Sequence, residues 1–291
     1  MTDFMQLVFS GLATGAIYAL AALGFTLLWQ ASGTVNFATG EFVMIPAFSM
    51  LGLMSLGLPL LASFAVTLVL SVIVLGWGFK RVIVDPLIRF GMMPLIVATI
   101  GLSMMMRNGI RAGFSAEAHP FPSLFGDRLF SIAGVNISAG DIGTFALALV
   151  IVFGVQAFVQ KTVTGRAMQA VAQNTESATV LGINVKRMVF YTFAINAILA
   201  TSAALLVSSV YLVKFDMGFS LGFKAFLAAI IGGFSNSRGA LLGGLIIGVA
   251  ENLAGAYVSP AYKDGVALAL FMVVILFKPN GLLGKAEERK V

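Results

Sequence analysis

From Phe42 to Phe79 the chain runs for 38 residues without one charged side chain. A bilayer-spanning helix takes about 20 consecutive apolar residues, so a run of this length holds roughly two crossings. The same stretch argues against a β-barrel, whose strands alternate apolar and polar positions over about ten residues. Composition leads to the same place. Only 10% of the residues are charged and 59% are apolar, whereas soluble domains carry about 25% charged residues. So few polar groups could not cover the surface of a 291-residue chain in water. The expected fold class is an all-α integral membrane protein.

Comparable runs place helices at 4–29, 36–55, 59–79, 92–112, 141–160, 188–213, 222–234, 239–258 and 261–278. That is about nine transmembrane helices, with eight to ten allowed, in one transmembrane domain over 1–291. The 222–234 segment is short and could be a half-span. The first run extends from Phe4 to Trp29 behind Met-Thr-Asp-Phe, which lacks a basic n-region. It is too long for the apolar part of a signal peptide and reads as an uncleaved first span.

Basic residues in the connections set an expected orientation. Twelve fall on one side: Lys80, Arg81, Arg89, Lys161, Arg166, Lys186, Arg187, Arg238, Lys278, Lys285, Arg289 and Lys290. Six fall on the other: Arg107, Arg111, Arg128, Lys214, Lys224 and Lys263. The positive-inside bias then puts the C-terminus in the cytoplasm and the N-terminus outside. In a chain of this kind the net charge of +6 reflects basic cytoplasmic loops rather than a nucleic-acid partner.

Enzymatic chemistry finds little to work with. There is no cysteine, and the one histidine, His119, lies in the long 113–140 connection. A histidine–zinc cluster is excluded and a Ser–His pair is poorly placed. No G-x-x-x-x-G-K-[ST] sequence is present to cradle nucleotide phosphates. No enzyme activity, metal or cofactor is expected.

The first and sixth predicted spans run in opposite directions, and a glycine-rich interruption follows each: "ASGTVNFATG" and "FDMGFSLGF". Transporters are often inverted repeats with broken helices at corresponding positions, the substrate path lying between the halves. With 32 glycines in the chain, coincidence is the competing explanation. Small residues four apart (Gly11, Gly15, Ala19; Gly239 with Gly243; Gly244 with Gly248) allow close helix approach, within one subunit or between two.

In "GTVNFATGEF" Asn36, Thr39 and Glu41 cluster at the first interruption. Either the helix breaks beside a watery cavity, where freed backbone groups are tolerated, or Glu41 is a solvated helix start at the headgroup boundary and Asn36 its cap. Glu251 and its neighbour Asn252 sit inside the eighth predicted span and Asn196 inside the sixth. Intramembrane carboxylates such as Glu41 and Glu251 also suit an ion-coupled carrier or a channel. Pairing with a neighbouring helix is the plainer reading of Glu251, and an interhelical hydrogen bond that of Asn196.

The longest connection on the basic side is "KTVTGRAMQAVAQNTESATVLGINVKRM", 161–188. Arg166, Gln169, Gln173 and Glu176 recur at spacings of three and four, hence on one helical face. Met168, Val171, Ala172, Thr175 and Ala178 fall opposite, and Gly165 and Gly182 punctuate the ends. This is an amphipathic helix lying along the membrane face, or one that docks a cytoplasmic partner.

"GRAMQAVAQNTESATVLGINV" resembles the cytoplasmic coupling segment of permeases in the branched-chain amino acid class of ABC importers. "GAIYALAALGFTLLW…GTVNFATGEF" is similar to that family's first span and following glycine-rich element. "AAIIGGFSNSRGALLGGLIIGVAENL" resembles its late pair of spans, and "LFKPNGLLG" its closing element. The four stretches cover most of the chain in the family's order. Two positions depart from the family: Thr39 stands where a His is frequent, and Thr175 where many members have Pro, so the coupling helix could run on uninterrupted.

The resemblance implies a multi-pass permease of the bacterial inner membrane that pairs with a second, related or identical permease. Two ATPase subunits would supply the energy, and a periplasmic or extracellular solute-binding protein would deliver the substrate. Branched-chain or other amino acids are implied as cargo, with urea or short amides the alternative in the same class. Gly165, Arg166, Gln169, Gln173, Glu176 and Gly182 become candidates for ATPase coupling, and Asn36, Thr39, Glu41, Asn196, Glu251 and Asn252 for the substrate pathway.

Overall fold

The computed structural model describes residues 2–33, 35–126, 128–132, 135–234 and 236–284. Thr34 and Ser235 of the quoted motifs, and Lys285, Arg289 and Lys290 of the orientation argument, lie outside the described residues. In chain order the helices are α1 (Thr2–Ser32), α2 (Glu41–Ser55), α3 (Leu60–Phe90), α4 (Met92–Phe114), α5 (Ala139–Lys161), α6 (Val163–Gln173), α7 (Thr175–Val180), α8 (Val185–Val210), α9 (Met217–Gly232), α10 (Ser237–Tyr257) and α11 (Pro260–Phe277). A small antiparallel hairpin, β1 (Leu129–Ile132) and β2 (Val135–Ser138), pairs Leu129 with Ser138 within the 113–140 connection.

Each segment expected to be helical holds a helix, but residues 36–40 of the second are a turn outside it, and two helices are too short to cross. Among the described residues seven helices are long and apolar enough to span a bilayer. α2 has 15 residues and α9 has 16, so nine full crossings are not found. α3 corrects the expected 59–79 span in the other direction, continuing to Phe90 and taking Lys80 and Arg81 into the helix. Its middle is wound as a π-helix over Val72–Gly78 and Lys80–Val84. A π-helix joins residues five apart by its backbone hydrogen bonds, and Lys80 Nζ reaches the Asp85 carboxylate, five residues on, at 2.7 Å.

α1 and α8 are the most enclosed of the long helices. α1 is apolar all round, as befits a helix surrounded by others, and is buried from Ala13 through Leu28. The two run antiparallel: Thr14 meets Tyr211 beyond the end of α8, while Gly24 lies against Asn196 near its middle. α4 and α11 instead turn Met93, Val97, Met105, Met272, Leu276 and Phe277 outward. An apolar outer face of this extent suits acyl chains and not water.

The small-residue stripes are used inside the chain. α1 packs against α10, and a methyl group on Gly15 would stand 2.7 Å from the Gly244 carbonyl oxygen and 2.8 Å from Leu245 Cα. Gly239 and Gly243 meet Gly232 and Ala228 of α9 in the same way. In lipid, where apolar side chains gain little by leaving the solvent, such contact and the dispersion it brings hold helices together.

Candidate functional site

α1 ends at Gly33, whose φ of +62° is a left-handed turn. Residues 35–40 then fold back as a tight loop. Asn36 Oδ1 accepts the Ala38 N–H at 2.9 Å, and the Thr39 hydroxyl donates to the Asn36 carbonyl at 2.7 Å. Asn36 therefore caps this turn and not the start of α2. The Phe37 N–H, freed by the break, donates to Thr99 Oγ1 on α4 at 3.2 Å. Asn36 is buried, and its Nδ2 has no partner.

The second interruption, residues 211–216, separates α8 from the short α9 as the first separates α1 from the short α2. The end of the first interruption meets the first two turns of α9. Gly40 lies against Gly218 and Gly222, so close that a Cβ on Gly40 would overlap the Gly218 carbonyl. No residue larger than glycine fits there without parting the half-length helices. The matched breaks expected from the sequence are thus adjacent in space.

Glu41, the first residue of α2, is 1% exposed, so a solvated helix start does not describe it. A carboxylate in such surroundings needs a partner. Arg107 of α4 provides it, donating from Nη2 to Oε1 at 3.1 Å, with its guanidinium 4.8 Å over the Phe219 ring of α9. Phe25, Phe37, Phe219, Phe223 and Phe226 surround a recess of about 60 Å³ beside Glu41.

A second charged cluster joins four helices. Lys224 of α9 donates to Glu251 of α10 at 2.6 Å and to Asp264 of α11 at 2.9 Å. Tyr18 of α1 donates to the other Glu251 oxygen at 2.9 Å. Lys224 is buried within α9, which removes it from the outer basic residues with which it was counted. Outside the spans, Tyr211 shares a 3.0 Å contact with the Thr14 hydroxyl. Burial, the largest influence, raises its phenol above the ordinary value, and the Thr14 bond works the other way.

The six pathway candidates do not form one site. Asn36, Thr39 and Glu41 share the first break, and Glu251 belongs to the lysine cluster. Asn252 only donates to the Gly248 carbonyl of its own helix at 3.1 Å. Asn196 is buried with its Oδ1 against Gly24 and its Nδ2 unpartnered. Arg107, Lys224, Tyr18 and Asp264 were missed as partners. The signal was available: a basic residue within reach of a spanning helix is a natural partner for each intramembrane carboxylate.

The 161–188 segment is two helices, not one. α6 stops at Asn174, whose side chain accepts the Ser177 N–H at 2.8 Å and starts α7. Asparagine favours this cap over continuing a helix, so the chain breaks here without the proline seen elsewhere in the family. Met168, Val171 and Ala178 are buried, while Arg166, Gln173 and Glu176 are exposed and Gln169 half-buried. Gly165 packs on the Val159 backbone, and Gly182 ends α7 with φ +78°. Val180 and Leu181 stand out at 88% and 76% exposure. Among the described residues no group of acidic, histidine or cysteine side chains could hold a metal ion.

Residues 7–275 match the family model described as branched-chain amino acid transport system / permease component. The chain is 35% identical to a high-affinity branched-chain amino acid transport system permease protein of Pseudomonas aeruginosa, over 99% of this chain and 98% of that one. It is 34% identical to the protein of the same description in Escherichia coli, with the same coverage. In three dimensions it is similar to PsaBC from Streptococcus pneumoniae, solved in complex with Fab. The TM-score is 0.52 and the identity 11%, covering 93% of this chain and 91% of that one, which is a likeness of fold alone.

Proposed function

The chain belongs to the permease component family of branched-chain amino acid transport systems, and on that premise we propose that it forms the membrane path of an ATP-driven importer for branched-chain amino acids. The chain acts as one permease unit with a second permease, identical or related, beside it. Two ATPase subunits dock on the 161–188 segment, and a solute-binding protein presents substrate at the opposite face. The exposed Arg166, Gln173 and Glu176, with the bare Val180 and Leu181, give the ATPase a polar surface and two apolar knobs. The positive-inside bias of the basic loops supports a cytoplasmic position for this segment and an outer N-terminus.

The observation that carries the path is the meeting of the first break with the start of α9. Gly40 against Gly218 and Gly222 brings the start of one half-length helix onto the first two turns of the other, beside the Glu41–Arg107 pair. Two abutting half-helices let a pathway open or close by a small relative movement, as in other transporters with broken helices. Asn36 and Thr39 hold the first break in shape, and Glu41 ties it to α4.

The test is reconstitution with the ATPases and binding protein in vesicles that contain ATP and have no ion gradient. Leucine uptake is expected, and Glu41→Gln is expected to reduce it severely while assembly with the ATPases persists. Uptake that needs a proton or sodium gradient and ignores ATP would establish an ion-coupled carrier instead. Normal uptake by both Glu41→Gln and Asn36→Ala would remove the first break from the path.

A further inference from the structure

α3 and α8 touch at Gly76, where an added methyl group would stand 3.4 Å from Ala194 Cα, and through the rings of Phe79 and Phe193, 5.8 Å apart. Beside that contact, toward the end of α3 and at the start of α8, they leave a cavity of about 390 Å³. Trp77, Lys80, Arg81 and Asp85 of α3 line one side, and Lys186 and Arg187 of α8 line the other. A water takes about 30 Å³ in the liquid, so the space holds roughly a dozen water-sized groups. That is enough for a phosphate and its glycerol.

The cavity gathers charge of one sign. Lys80 is buried and bound to Asp85, donating to both carboxylate oxygens at 2.7 and 2.9 Å. Among the described residues Arg81, Lys186 and Arg187 have no acidic partner. An aromatic residue holds Arg187 instead: its Nε donates to the Tyr191 hydroxyl at 2.8 Å, and its guanidinium lies 5.5 Å from the centre of that ring. Three cations from two helices thus share one space with no anion of the chain to balance them, and they repel one another across it. α8 also begins here, with Asn184 in the cavity wall and capping the helix through the Arg187 N–H at 3.0 Å. A helix start favours negative charge.

The adjoining surface says which anion fits. Trp77 is 56% exposed at the cavity, and an indole beside basic residues is typical of the membrane interface. From it Ile73, Val74, Leu70, Val69 and Val66, all exposed and spaced by three and four residues, form an apolar strip along α3 away from the charges. A soluble anion would leave that strip bare, and an acidic protein would have to enter level with the bilayer. We propose that the cavity binds the headgroup of an anionic glycerophospholipid, from the leaflet on the side of the 161–188 segment. The phosphate takes Arg81, Lys186 and Arg187, the glycerol lies against Trp77, and the acyl chains follow the strip. The bound lipid ties α3 to the start of α8, just beyond α7. The site needs only the membrane fold, so it stands or falls apart from the importer reading.

The test uses the full-length permease in nanodiscs of phosphatidylcholine and phosphatidylglycerol at low salt. The chain has two tryptophans, and Trp29→Phe, which keeps a ring against Phe234, leaves Trp77 as the reporter of the cavity. Brominated acyl chains on one lipid or the other quench Trp77 when that lipid is bound, and the ratio gives the headgroup preference. Three unbalanced cations, each worth about fivefold, predict a preference for phosphatidylglycerol on the order of a hundredfold. Arg81→Gln, Lys186→Gln and Arg187→Gln should each lower it about fivefold. All three side chains are exposed, so these variants fold and are readable one at a time. Lys161→Gln, Arg238→Gln and Lys278→Gln remove exposed charges of the same side that do not line the cavity, and should leave the preference unchanged.

Equal quenching of Trp77 by the two brominated lipids in the chain with all its basic residues would overturn the site. So would an equal loss of preference in the two sets of variants, which would mean diffuse attraction to the whole basic face. Soluble glycerol phosphate should not displace the brominated phosphatidylglycerol. If it does, the occupant is a free phosphate ester and the lipid reading falls. Displacement of the lipid by added ATPase subunits would make the cavity part of their docking surface, and would overturn it equally.

Discussion

Lys224→Met in the four-helix cluster should cost about 3 kcal/mol of stability, at the lower end of the roughly 3–5 kcal/mol for breaking one side of a buried ion pair. The structure sets that place within the range. Glu251 keeps only 8% side-chain exposure, so its charge would be left without water. Tyr18 still donates to Glu251 Oε2 at 2.9 Å, and a hydrogen bond to a charged group is worth about 1.5–3 kcal/mol. Asp264, with 74% of its side chain exposed, loses a partner that water can replace.

The cluster also predicts a rescue. Tyr18→Phe, Lys224→Met and Glu251→Leu together leave no buried charge and no orphaned hydroxyl, only the exposed Asp264, and should lie within about 1 kcal/mol of the wild type, since apolar replacement of a whole buried pair is often neutral or better. Equilibrium unfolding in mixed detergent micelles, with SDS as the denaturant, measures the single, double and triple variants in one cycle. A loss below about 1 kcal/mol for Lys224→Met, the size expected of an exposed pair, would refute the reasoning. It would show that water or another cation reaches Glu251, and that the cluster does not clasp α1, α9, α10 and α11.

The basic-loop bias predicts that a single cysteine at Ser177 resists an impermeant thiol reagent in intact cells while one at Ser123 reacts. The opposite pattern reverses the orientation. Gly244→Leu should destabilise by about 1–3 kcal/mol or more through overpacking, because a Cβ there lies 2.6 Å from the Ala19 nitrogen. Gly101→Ala on α4, where a Cβ meets nothing, should be neutral or gain up to about 1 kcal/mol of helix propensity in the same unfolding assay. Glu176→Lys, which reverses an exposed charge in the first turn of α7, should leave folding intact and lower substrate-stimulated ATP hydrolysis by the complex. Unchanged hydrolysis and uptake would make α7 a purely interfacial helix.

Periodicity and length, which are local properties, determined the all-α membrane class, the position of each apolar helix and the two glycine-rich interruptions. A run such as Phe42–Phe79 has no other way to satisfy its backbone in hydrocarbon. The four quoted motifs, read in order, also carried the family. Without a proline at 175 the coupling helix was free to run on, but the Asn174 cap bond to Ser177 ends α6, because an asparagine side chain competes with the backbone for the same N–H.

Only the tertiary structure decided who meets whom. Glu41 and Arg107 are 66 residues apart, and Tyr18 and Glu251 are 233 apart; no spacing rule links residues on different helices. Lys224 falls in the predicted 222–234 run yet was counted with the outer basic residues, because hydropathy averages over a window and does not resolve a single buried charge. The inverted arrangement of the two breaks was suggested by glycine content, yet the contact of the first with the start of α9 depends on helix lengths and angles that the packing of α1 against α8 and α10 fixes. Glycines such as Gly40 and Gly218 look alike in sequence. Which of them had to be bare was settled by the backbone that came to lie beside it.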